Sequence, residues 1–141
     1  MKEAFYLIPA VLYFITGVVC LIMAFKSITA KKYLSFHEQA AGKPWESIDK
    51  SLQIVILTIL RISGLGFLVV FLLLTVFPVL NYSAQEPYIK ILIPVISLIF
   101  CFGLFVFNYN LFRKTGVKTP WTGSLVAFFI ILFSLIISLF T

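Results

Sequence analysis

The side chains of this 141-residue chain best suited to chemistry are one histidine, two cysteines, two arginines and two tryptophans. A metal or haem site usually needs several convergent ligands, so a single His37 excludes bis-histidine haem ligation within one chain and argues against a metal centre. Cys20 and Cys101 form no C-x-x-C pair and sit in separate apolar runs, where cysteines usually serve as small packing residues. No G-x-S-x-G or H-E-x-x-H pattern is present. The sequence therefore predicts no catalytic residue, no metal, no cofactor and no enzymatic activity.

What remains is a set of polar and aromatic residues that recognise anions or anchor a chain at an interface: His37, Trp45, Arg61, Asn108, Arg113 and Trp121. Arginine pairs bidentately with phosphate or carboxylate, asparagine orients such a group, and histidine adds a contact sensitive to pH. The plainer readings are that Arg61 snorkels to headgroups, that Asn108 bonds a neighbouring helix, and that the tryptophans are interface anchors. Glu38, Glu46, Asp49 and Asn110 fall in the same cluster.

The elements that must position these residues follow from composition. Hydrophobic residues make up 62% of the chain and charged residues 11%, with a mean hydropathy of +1.12. A soluble domain carries about a quarter charged residues, so lipid is the solvent. Four apolar runs are long enough for a core of about 30 Å: 4–25, 62–80, 89–110 and 121–141. Continuous Leu, Ile, Phe and Val without dyad alternation excludes a β-barrel. The expected fold is all-α, a single four-helix transmembrane domain over 1–141.

Eight basic residues, Lys26, Lys31, Lys32, Lys43, Lys50, Arg113, Lys114 and Lys118, lie in the loops after spans 1 and 3, against Lys2 and Lys90 on the other side. The positive-inside rule then places both termini outside. In a bacterium this is a multi-pass protein of the inner membrane. The first run is too long for a signal peptide and lacks a cleavage site, so it reads as a retained span. The net charge of +6 is an orientation signal rather than a nucleic-acid footprint, because the aromatics lie in spans and belts. Tyr33, Tyr109 and both tryptophans are expected at the inner interface, and Tyr6, Tyr82 and Tyr88 at the outer one.

Helices in lipid meet at small residues. Such seams run through Ala10, Tyr13, Gly17, Cys20 and Ala24 in span 1, and through Gly123, Ala127, Ile131, Ser134 and Ser138 in span 4. A weaker one follows Ser97, Cys101, Leu104 and Asn108, and span 2 carries Ser63, Gly64 and Gly66. Pro44 suits a first helical position, as does Pro120 with Thr119 as N-cap. A helix from Pro44 to Leu80 would be roughly 55 Å long, so it should protrude over 44–61, lie in the interface, or break near Ser63–Gly64. Arg61 then falls at the inner boundary, and residues 33–42 or a partner should cover the apolar side from Ile54 to Leu60. No acidic residue lies within a span, which argues against a proton-coupled exporter.

The stretch F-H-E-Q-A-A-G-K-P-W over 36–45, the run L-R-I-S-G-L-G over 60–66 and T-G-V-K-T-P-W over 115–121 together resemble a group of small, uncharacterised bacterial four-span integral membrane proteins. These share an H…G…W inner loop, an arginine-glycine start to span 2 and a late T-P-W motif. The resemblance would cover about two thirds of the chain. It implies a four-span bacterial membrane protein, brings no activity, and singles out His37, Trp45, Arg61 and Trp121.

Two functions are expected. One is a non-enzymatic interaction or accessory subunit that meets a membrane-protein partner, or a second copy of itself, through its spans and inner loop. The alternative is binding or transport of an anionic phospholipid or amphiphile at an inner pocket around Arg61.

Overall fold

A computed structural model of the protein describes residues 2–80 and 87–140, with side chains described for 7–76, 78–79 and 88–140. Helix α1 covers Lys2–Ile28, and a short α2, Ser35–Ala41, follows in the loop. Gly42 ends α2 at φ 62°, a left-handed conformation that favours glycine. A 3-10 turn, Trp45–Ser47, leads to α3, Lys50–Phe71, then a π-helical segment, Leu72–Val76, and α4, Phe77–Leu80. Helices α5, Pro87–Thr115, and α6, Trp121–Leu139, complete the chain. Four helices are long and apolar enough to cross a membrane, and the described residues contain no strand.

Successive long helices run antiparallel. Gly17 of α1 faces Thr75, while Ala24, Ser27 and Ile28 face Gly64, which fixes the register of α1 against span 2. At α5 and α6, Phe102 meets Phe128 and Tyr109 meets Trp121. Helix α1 is central, packing on both α3 and α6, and α5 packs on α6 and on the π-helical segment. Phe67 and Phe100 bring α3 to α5, in a T-shaped pair 5.3 Å between centroids.

The seams expected from spacing form much of the interior. Gly17, Cys20, Ala24, Ser97, Cys101, Ile131 and Ser134 are buried, joined by Val70, Leu74 and Ile93. Ala10, Ser63 and Gly123, at the ends of their seams, are exposed. Four buried hydroxyls satisfy themselves within their own helices: Thr16 donates to Leu12 O, Thr75 to Phe71 O, Ser97 to Ile93 O and Ser134 to Ile130 O, all at 2.6–3.0 Å. An unsatisfied hydroxyl would be costly in this setting.

Three expectations need correction. Span 2 does not break at Ser63–Gly64, because Gly64 is buried against α1 and α3 runs through it. The irregularity comes at Leu72–Val76, just before Pro78. Proline has no N–H for the carbonyl four residues earlier and its ring crowds that carbonyl, so the ladder widens by one residue. Nor does an α-helix begin at Pro44: Ile48 and Asp49 are extended, and α3 starts only at Lys50. The Gln53 amide donates to Trp45 O at 2.9 Å and Ile48 O at 3.0 Å, satisfying carbonyls that a continuous helix would have used.

Thr119, finally, does not cap α6. Its hydroxyl donates to Asn108 O at 2.7 Å, tying the loop to α5, and Pro120 stands at the N-cap. Tyr82 and the side chain of Tyr6, expected at the outer interface, lie outside the described residues.

Candidate functional site

All six residues singled out by the sequence lie toward one end of the bundle, where α1 and α5 finish and α3 and α6 begin. The structure distributes them over three places rather than one pocket. No hydrogen bond or ring contact joins these places, and there is no ion pair, among the described residues.

The first place is the loop between α1 and α3. Tyr33 is buried, its hydroxyl donates to Lys43 O, and its ring meets Trp45 edge-on at 4.9 Å. Such pairs contribute about 0.5–1.5 kcal/mol beyond area burial. With Gln53 holding Trp45 O from α3, the loop is fastened to the first turns of that helix. Trp45 thus serves as the centre of a folded loop, with its ring engaged by Tyr33.

His37 lies in α2 against Phe36, ring centroids 4.0 Å apart, and burial pulls its pKa below the ordinary histidine value. The folded loop therefore favours neutral imidazole. Above the unfolded pKa of about 6.5 both states are neutral and His37 is without effect on stability. As pH falls below that value the unfolded loop takes up the proton first, and stability is lost until the folded pKa is passed. Protection factors of the α2 amides, with the intrinsic pH dependence of exchange divided out, should fall as pH drops from 6.5 to 5 in the wild type, and this slope should flatten in His37→Gln. An equal slope in both proteins would remove His37 as its origin.

The second place is the α5–α6 hairpin. Trp121 is surrounded by Tyr109, Phe112 and Phe105, with centroids at 5.5, 6.1 and 6.2 Å. These rings fill one another's faces and leave no cage. Asn108 donates its side-chain amide to Leu104 O at 2.8 Å within α5, so it bonds its own helix rather than a neighbouring one. Arg113 is exposed in the last turn of α5, where a cation complements the negative helix end.

Arg61 forms the third. It projects from α3 into an open groove of about 280 Å³ lined by Ile28, Thr58, Arg61, Ile62 and Leu65. Positions 58, 61, 62 and 65 fall on one helical face by their spacing of three, one and three. Thr58 uses its proton on Ile54 O at 2.8 Å. Ile28 is the last residue of α1 and lines the groove with Arg61, so Arg61 stands level with that helix end.

Sequence reasoning missed one feature that its own spacing displays. Leu52, Val55, Ile59 and Ile62 recur at intervals of three and four, the a and d positions of a heptad. Each is at least half exposed, from 50% at Val55 to 62% at Ile62. The folded loop does meet α3, but at Gln53, one position from Leu52 and on a different face. The expectation that residues 33–42 cover the apolar side therefore fails over Ile54, Val55 and Ile59.

Fold and surface together define a small helical protein with four candidate membrane spans and a bare apolar face at one end. The chain matches no protein-family profile, no curated protein and no solved structure.

Proposed function

We propose that the protein is a non-catalytic interaction or accessory subunit of a bacterial inner membrane, with both termini outside and the lysine-rich loops in the cytoplasm. The observation that carries this reading is the exposed a/d face of α3. Lys50 lies eleven helical steps from Arg61, about 16 Å of helix beyond the level at which α1 ends. An apolar stripe so placed reaches past the hydrocarbon core into the headgroup layer, where it gains by meeting another apolar helix. The opposite face of α3, through Leu60 and Gly64, is already occupied by this chain's own packing.

Cysteine cross-linking in native membranes tests the proposal. Ile59→Cys and Val55→Cys should each give a discrete adduct above monomer mass, with either a second copy or another membrane protein. Phe107→Cys, exposed on α5, should give none. Monomer alone for both α3 variants would overturn the interaction role. Lys43→Cys should react with an impermeant maleimide in inverted vesicles and not in spheroplasts, and the reverse would overturn the orientation.

A further inference from the structure

We infer that the groove at Arg61 is a binding site for one anionic phospholipid, the phosphate held by the guanidinium and an acyl chain laid along Ile62 and Leu65. Three observations carry this beyond the interaction role, and none depends on it. The first is charge: Arg61 has no hydrogen bond or ion pair among the described residues, and no carboxylate lines the groove. The guanidinium keeps its five donors for an incoming group.

The second is shape. The groove lies between the end of α1 and one face of α3, and it opens sideways onto Ile62 and Leu65, which are 62% and 54% exposed. A chain entering from the lipid phase meets apolar walls first. The third is level, since Ile28 is the last residue of α1 and Arg61 shares its groove, so the cation stands at the end of that helix and the apolar walls run on along α3. A phosphate bearing its own acyl chain fits both ends of such a groove. A free phosphate would leave the apolar end unused, and a zwitterionic lipid would bring an ammonium group toward the same cation.

Lysines at this end of the molecule attract anionic headgroups too, but as diffuse charge. The distinction is that Arg61 combines a guanidinium with an apolar slot. Arg113 is exposed in the last turn of α5 and lines no part of this groove.

The test reconstitutes the full chain in nanodiscs of phosphatidylcholine containing phosphatidylglycerol as a minority lipid. Lipid retained after mild detergent release is then counted by native mass spectrometry. Wild type should retain phosphatidylglycerol in preference to phosphatidylcholine. Arg61→Gln should reduce that preference by about fivefold, the scale of one basic residue at a membrane surface. Leu65→Trp, which fills the slot and leaves the charge, should lower retention of both lipids. Arg113→Gln should leave the preference unchanged. Equal losses from Arg61→Gln and Arg113→Gln would show general surface attraction and overturn the site, as would full retention in Leu65→Trp. Helical content and melting are measured for each variant, and because Arg61 and Leu65 are both exposed, neither substitution disturbs the interior.

Discussion

Gly17→Ala should destabilise the bundle by about 1–3 kcal/mol, and Thr75→Ser in the same chain should restore most of the loss. A Cβ at Gly17 would collide with Thr75 Cγ2, inside any real contact distance. Alanine ordinarily strengthens a helix by about 0.5–1 kcal/mol relative to glycine, so loss here isolates the collision from the propensity gain. Serine at 75 removes only the methyl and keeps the hydroxyl that donates to Phe71 O. Alone, Thr75→Ser should cost about 1 kcal/mol for the methyl-sized gap. A double-mutant cycle of SDS-unfolding midpoints reads all three values. If Gly17→Ala proves neutral without its partner, the close fit of α1 to the π-helical segment is wrong.

Gly64→Ala should cost at least as much, about 2–3 kcal/mol, with no single rescue. Its Cβ would meet Ile28 Cγ1 at 2.7 Å, Ser27 Cβ at 3.0 Å and Ala24 O at 3.1 Å. The isoleucine could turn aside, but the carbonyl belongs to the α1 backbone, so α3 must move away from α1 as a body. Ile28→Ala should therefore return only part of the loss. Gly103→Ala and Gly123→Ala, where a Cβ meets nothing within 4 Å, should be neutral or stabilising by up to about 1 kcal/mol. Equal midpoint shifts for Gly64 and Gly103 would discount the α1–α3 contact. Since Ile28 also lines the Arg61 groove, Gly64→Ala should alter lipid retention as well.

These glycines show what could be read in advance. Small residues at three- and four-residue spacing in span 1, and the group Ser63, Gly64 and Gly66 in span 2, pointed to close approach, because in lipid little else draws helices together, and Gly17, Cys20, Ala24 and Gly64 are buried accordingly. The four spans followed from hydropathy for the same elementary reason. Connections were less legible. Whether Pro44 starts a helix depends on Gln53, eight residues later, reaching Trp45 O, and no local rule contains such a contact. Thr119 looked like a cap, yet its hydroxyl found the Asn108 carbonyl across the hairpin. Pro78 did carry a signal for irregular helix, and the π-helical segment lies where a missing N–H and a crowded carbonyl require it.

The six candidate residues lie toward one end of the bundle because each is polar or amphipathic and close to a span boundary. Their division among a loop, a hairpin and a groove was not legible. It depends on which helix packs on which, and α1 on both α3 and α6 is a tertiary outcome without a sequence motif.

The hydroxyls of Thr16, Thr75, Ser97 and Ser134 each donate to the carbonyl chain of their own helix. At these four positions a span's polar demands are met before it finds a neighbour. Helix pairing at these positions therefore adds fit alone, and there assembly is a search for shape rather than for hydrogen bonds.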